Sequence, residues 1–151
     1  MAALSPVIFT RHDVLPAADA AVVDQGLGEA NAAAAPLHEV QPLACFARTA
    51  DDAVIGGAVG RTWGPCAELQ QLWVDPAHRR GGLGARLLRE FESAAIGRGV
   101  TDVYLETLSF QAPDFYRALG YKVAHALAVY PRGIVRYLLV RHLVPDEGVP
   151  R

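Results

Sequence analysis

At 151 residues, with 52% hydrophobic and 20% charged side chains, the chain has the length of one domain of roughly 100 to 200 residues. Its composition is that of a folded globular protein; disorder is excluded, because disordered chains combine low hydrophobicity with high net charge. A formal charge of -2 excludes a whole-molecule field that gathers nucleic acid or anionic membrane, so any anion site must be local.

Val7 to Thr10 is a short apolar run that reads as a strand. Pro16, suited to a first helical turn, opens an alanine-rich stretch from Ala17 to Ala35 that reads as helix. Gly26 and Gly28 interrupt the pattern, which leaves one helix or two short ones open, and Pro36 closes it. Leu43 to Thr49 and Val54 to Trp63 are β-compatible runs joined by Ala50-Asp51-Asp52-Ala53, a connection of hairpin length. Gly64 and Pro65 turn the chain into a third strand, Cys66 to Val74, stopped by Asp75 and Pro76. After a loop rich in Gly and Arg, Leu83, Leu87, Phe91 and Ala95 form the apolar side of the clearest amphipathic helix. Val103 to Phe110 predicts a strand, Pro113 to Leu119 a short helix ended by Gly120, and Tyr121 to Val129 with Val135 to His142 two closing strands. The order β, α, βββ, α, β, α, ββ implies a single α/β (α+β mixed) sheet domain over residues 1–151 with helices packed on the sheet, fraying at 145–151.

Cys45 and Cys66 lie in apolar strands, far from any C-x-x-C spacing, and are expected to be buried, reduced core residues. No basic segment followed by an apolar h-region opens the chain, and no run approaches about 18 apolar residues, so the cytoplasm is the expected compartment. The five histidines show no H-E-x-x-H or paired ligand spacing, and no metal is expected. Ser5, Ser93 and Ser109 are the only serines and none lies in G-x-S-x-G, which argues against a serine hydrolase.

The strongest local signal is Val74-Asp75-Pro76-Ala77-His78-Arg79-Arg80-Gly81-Gly82-Leu83-Gly84-Ala85, a strand end, a glycine loop and a helix start in succession. Unpaired N–H groups at a helix N-terminus point outward toward an anion, and Gly82 and Gly84 let the main chain approach phosphate oxygens. Arg79 and Arg80 add positive charge in a fork that suits those oxygens. Walker A needs G-K-[ST] and the Rossmann pattern needs Gly or Ala where Leu87 stands, so both nucleotide readings fail. What remains, Arg79-x-x-Gly82-x-Gly84 entered from L-W-V-D-P, resembles the pyrophosphate loop of the GNAT superfamily of acyl-CoA N-acyltransferases. Downstream, Ala112 to Tyr121 is similar to that family's A-x-x-x-Y-x-x-x-G-[FY] segment, and Ser109 to Tyr116 matches S-F-Q-A-P-x-F-Y of small bacterial members. The chain departs from those members at Ile134, where their Y-P-x-G-H-x-R ending carries histidine. It also has Ser109 where many ribosomal-protein acetyltransferases of the superfamily have asparagine, which weakens a protein N-terminus as the acceptor.

The resemblance implies a central mixed, mostly antiparallel sheet of six or seven strands with helices on both faces. It further implies attack of a neutral amine on the thioester of acetyl-CoA, through a tetrahedral oxyanion, with loss of the CoA thiolate. By the same resemblance, acetyl-CoA would lie along Leu72, Trp73, Val74, Arg79, Arg80, Gly81, Gly82, Leu83, Gly84, Ala85, Ser109, Ala112 and Phe115. Backbone N–H groups of the strand carrying Leu72, Trp73 and Val74 would meet the oxyanion. Tyr116 matches the tyrosine that protonates the leaving thiolate; its alternative is a half-buried helix residue.

A base near the acceptor is also needed, and Glu68 and Glu106 are candidates because acids are unusual in strands that read as buried. An ion-paired structural role is the alternative for both. Alternation puts Glu68, Gln70, Leu72 and Val74 on one strand face, and Tyr104, Glu106 and Leu108 on one face of the next strand.

The leading reading is thus an N-acetyltransferase acting on a primary amine of a small molecule or protein, with no nucleic acid or membrane partner. An acyl-CoA binding or sensing module without acceptor turnover is the alternative. The resemblance also implies an acceptor pocket built from the region Asp24 to Glu39 and the loops before the last strands, and a homodimer paired through edge strands. Asp24, Glu29 and Glu39 would suit a cationic acceptor unless they form a solvated face. Trp63 and Tyr130 would line an aromatic pocket or pack in the core.

Overall fold

A computed structural model describes residues 5–143, so the fraying expected at 145–151 lies outside the described residues; the chain divides into two compact units, Met1–His38 and Glu39–Arg151. In the first unit α1 (Ala17–Ala34) runs unbroken through Gly26 and Gly28. Its alanines carry the helix across both glycines, each of which costs about 1 kcal/mol relative to alanine. Pro16 stands one residue before the helix, its carbonyl accepting the Ala20 N–H at 3.0 Å. Asp24, Glu29 and Glu39 are exposed, and α1 buries no side chain. The strand expected at Val7 to Thr10 does not form. Four residues gain strand stability only from a ladder partner, and among the described residues none pairs with them.

The second unit contains β1 (Gln41–Arg48), β2 (Val54–Trp63), β3 (Cys66–Val74), α2 (Leu83–Gly97), β4 (Asp102–Leu108), α3 (Pro113–Ala118), β5 (Lys122–Leu127) and β6 (Arg136–His142). The six strands form one mixed sheet in the order β1-β2-β3-β4-β6-β5. Four ladders are antiparallel and β3 with β4 is parallel, as a strand-helix-strand crossover through α2 requires. α2 packs on β1, β2 and β3. It buries Leu87, Phe91 and Ala95 of the predicted apolar side, and Leu88 and Glu92 beside them. Phe91, Leu88, Leu105, Leu139 and Val103 are the largest fully buried side chains.

Two sequence expectations are corrected. Cys45 and Cys66 are free thiols and half-buried rather than core. Cys45 lies on β1, an edge strand whose outer flank pairs with no strand among the described residues, and burial still pushes both thiols up. The alternation expected along β3 also breaks. Val59 pairs with Gln71 but Gly60 pairs with Leu69, so Gln70 is an extra, bulged residue. The bulge transfers Leu72 and Val74 to the core face of Ala67 and Leu69, while Glu68 lies on the opposite face. Gly60 makes the bulge sterically feasible: a Cβ there would overlap the Glu68 carbonyl oxygen and press on Phe91.

At the bulge the sheet parts. β3 pairs with β4 only from Cys66–Asp102 to Leu69–Leu105, after which β3 follows β2 and β4 follows β6. The remaining residues of β3 therefore turn one flank of their backbone toward an open V.

Candidate active site

On one face of the parting lies a cleft of about 690 Å³. Its lining brings together Leu72, Trp73, Val74, Arg79, Arg80, Gly82, Leu83, Gly84, Ala85, Ala112, Phe115 and Tyr116. Local chemistry shapes the loop that enters it. The Asp75 N–H donates to the Ile55 carbonyl at 2.8 Å, and its carboxylate accepts the Ala77 N–H at 3.0 Å. Arg79 Nε donates to the Val74 carbonyl at 2.9 Å, drawing that side chain back against the strand end. Arg80 (φ 70°) and Gly82 (φ 76°) take left-handed conformations, which costs Arg80 about 1 kcal/mol and glycine almost nothing.

Gly82 is also the N-cap of α2, so no capping side chain consumes the first N–H groups, and no acidic residue stands in the first turn. Those donors and the positive end of the helix are open to an anion at the cleft floor.

Two predicted residues stand apart from this lining. Gly81 occupies open space in the turn. The Ser109 hydroxyl accepts the Val135 N–H at 3.0 Å while the Ser109 N–H donates to the Val135 carbonyl at 2.8 Å, fastening the end of β4 to the approach to β6. Gln111 lines the cleft and escaped the sequence reading, although it lies inside the S-F-Q-A-P segment. Its Oε1 accepts the Leu108 N–H at 2.8 Å, capping the end of β4.

Tyr116 is only 9% exposed. Its ring meets Phe115 and Tyr121 edge to face, at centroid separations of 5.1 and 5.9 Å. Burial pushes its phenol up from 10, so the group holds its proton across the neutral range. Behind it, the Tyr121 hydroxyl donates to Glu92 Oε1 at 2.8 Å, and Arg141 donates to Glu92 Oε2 at 2.7 Å. Burial, then the Glu92 carboxylate, pushes the Tyr121 phenol far up.

A second cavity, of about 320 Å³, opens on the same parting and also uses Gln111. Glu68 and Glu106 both line it, as do Gln70, Thr107 and Arg136. Each carboxylate has an arginine partner: Arg61 Nε donates to Glu68 Oε2 at 2.7 Å, and Arg136 Nη1 lies 3.6 Å from Glu106 Oε2. Tyr104 lies beside Glu68, and its phenol is pushed up by burial first and by that carboxylate second. Trp63 is 42% exposed at the end of β2 and so is not a core residue. Among the described residues, no three His, Cys, Asp or Glu side chains gather closely enough to hold a metal ion.

Comparison with known proteins agrees with this geometry. The family model described as Acetyltransferase (GNAT) family matches residues 17–121. Blasticidin-S acetyltransferase of Streptomyces morookaense is 38% identical over 112 residues, which cover 72% of this chain and 82% of that protein. A solved structure from Agrobacterium tumefaciens, described as an acetyltransferase, superposes with a TM-score of 0.76 at 25% identity, over 91% of this chain and 100% of the other. An acetyltransferase from Bacillus cereus ATCC 14579 shares the fold with a TM-score of 0.73 at 22% identity, over 89% and 98%. The glycine loop on a helix N-terminus, the parted parallel strands and these matches lead to one assignment: the chain belongs to the GNAT acetyltransferase family.

Proposed function

We propose that the protein transfers the acetyl group of acetyl-CoA to a primary amine of a small molecule, by direct attack within a ternary complex. The observation that carries this reading is the parting of β3 from β4, with an anion-ready helix end on one face and a carboxylate-lined cavity on the other, both reaching Gln111. The first-turn N–H groups of α2, with Arg79 and Arg80, fit a pyrophosphate. Unpaired backbone donors around Leu72, Trp73 and Val74 stabilise charge that develops on the thioester oxygen. Tyr116, kept protonated by burial, gives its proton to the departing thiolate. Against a thiol of about 8.5 this transfer is uphill by about 2 kcal/mol or somewhat more, small beside the barrier of the acyl transfer itself. Glu68 or Glu106, directly or through one water, takes the proton of the attacking amine. A small-molecule acceptor is favoured by the size of the second cavity and by the acetyltransferase relative named for blasticidin S. No described helix is long and apolar enough to cross a membrane. We place the protein in the cytoplasm, where thiols such as Cys45 and Cys66 stay reduced.

Calorimetric titration with acetyl-CoA, run beside desulfo-CoA and ATP, tests the donor. Binding of acetyl-CoA in the micromolar range without binding of ATP is expected; absence of acetyl-CoA binding overturns the reading. We further propose a homodimer, since β5 ends the sheet with every residue exposed and one flank unpaired among the described residues. Equilibrium sedimentation should return twice the 16.2 kDa chain mass, and a monomer at high micromolar concentration would rule this out.

A further inference from the structure

We infer that the acceptor-side cavity takes an amine that also bears a carboxylate, and that Arg136 receives that carboxylate. This inference rests on the transferase reading and names the acceptor class for the same site.

The two arginines beside the acidic residues are in different states. Arg61 is engaged, its Nε on Glu68 at 2.7 Å. Arg136 is not: its 3.6 Å approach to Glu106 exceeds the roughly 2.7–3.2 Å of an N–H···O hydrogen bond, so the pair attracts without using the guanidinium donors. Both partners are about half exposed, at 45% and 57%, so solvent weakens what attraction remains. Yet the guanidinium is held in place, its central carbon 5.4 Å from the centre of the Tyr130 ring, at the start of β6 on the cavity wall. A planar fork that spends no donor on a hydrogen bond among the described residues, lies over the Tyr130 ring and lines a cavity is a receptor for a carboxylate.

Charge balance leads to the same class. A simple cationic amine entering this cavity meets Glu68 and Glu106 but also the like charge of Arg136, which opposes it. An acceptor carrying both groups matches the cavity, with its nitrogen toward the carboxylates and its own carboxylate on Arg136. Any anion on Arg136 stands near Glu106, and a doubly charged phosphate meets about twice the repulsion that a singly charged carboxylate does, which disfavours it.

The test uses β-alanine, γ-aminobutyrate and ε-aminocaproate, each against its primary amide, with thiol release followed at saturating acetyl-CoA; the series varies the span between the amine and Arg136. At least one acid should exceed its amide in kcat/KM by about tenfold or more. Arg136→Gln should bring that ratio near one by raising KM for the acid, and Arg136→Lys, which keeps the charge but loses the fork, should retain part of it. Amides equal to or better than acids overturn the inference, as does a ratio that survives Arg136→Gln, or a phosphorylated amine such as phosphoethanolamine outperforming every acid. Silence of acids and amides alike also overturns it. The transferase reading is then judged separately, by acetyl-CoA titration and by thiol release with unrelated amines.

Discussion

Tyr116→Phe is expected to lower kcat by about 10²-fold, the scale of a general acid, while leaving affinity for acetyl-CoA nearly unchanged. The phenol stands at the wall of the helix-end cleft with its ring held edge to face between Phe115 and Tyr121, so phenylalanine fills the same space. What the variant loses is the proton for the leaving thiolate. Steady-state thiol release, together with a calorimetric acetyl-CoA titration of the variant, separates the two quantities. Wild-type turnover would remove Tyr116 from the mechanism, and a large loss of acetyl-CoA affinity would make it a binding residue. The pH dependence has a definite sign. Burial raises the phenol above 10, so the acid form is fully present below that value and is lost only as pH rises through the raised one. Loss of activity at neutral or acidic pH must therefore come from another group, the amine or its base.

Glu92→Ala is expected to be strongly destabilising. Glu92 is 6% exposed and accepts from both Tyr121 and Arg141, joining α2 to the residue after Gly120 and to β6. Alanine leaves a guanidinium and a phenol in a partly dry site without their acceptor, a loss of about 3–5 kcal/mol for a fully buried pair. The Arg141 side chain is 35% exposed, so solvent restores part of its hydration, and the lower end, about 3 kcal/mol, is expected. For a chain of this size that lowers Tm by roughly 6–12 °C in a thermal melt. Glu92→Gln keeps one amide oxygen for Tyr121 and should cost about half as much. An unchanged melting temperature in the alanine variant would mean that the network contributes nothing. Its place gives it a second consequence: Tyr121 packs on the Tyr116 ring, and its N–H bonds the Tyr116 carbonyl at 3.1 Å, so stability and the geometry of the proposed acid share one support.

Features encoded within a few residues were legible without coordinates. The β2 and β3 spans are legible to the residue because Asp and Gly-Pro turns bound them, and the presence of α2, though not its end, is legible because its apolar side recurs at helical spacing. The glycine loop was legible for the same reason, since a strand stop, a turn and a helix start are local events. The loop residues Arg79, Arg80, Gly82, Leu83, Gly84 and Ala85 line one cleft, whereas Gly81 stands apart from it and the Ser109 hydroxyl turns to Val135.

Composition and local pattern thus determined the fold class, the crossover helix and the anion-ready loop, and the resemblance to the GNAT superfamily supplied the candidate tyrosine. Tertiary structure alone decided the rest. An apolar run at Val7 to Thr10 cannot become a strand without a partner, and periodicity does not supply one. The Gln70 bulge depends on how β2 meets β3, and it reverses which residues of β3 face the core. Whether Glu68 and Glu106 stand alone or beside arginines is set by side chains on neighbouring strands, Arg61 across the β2–β3 ladder and Arg136 across the β4–β6 ladder. Charge compensation and strand parting act through space between segments distant in the chain, so only the assembled sheet fixes them.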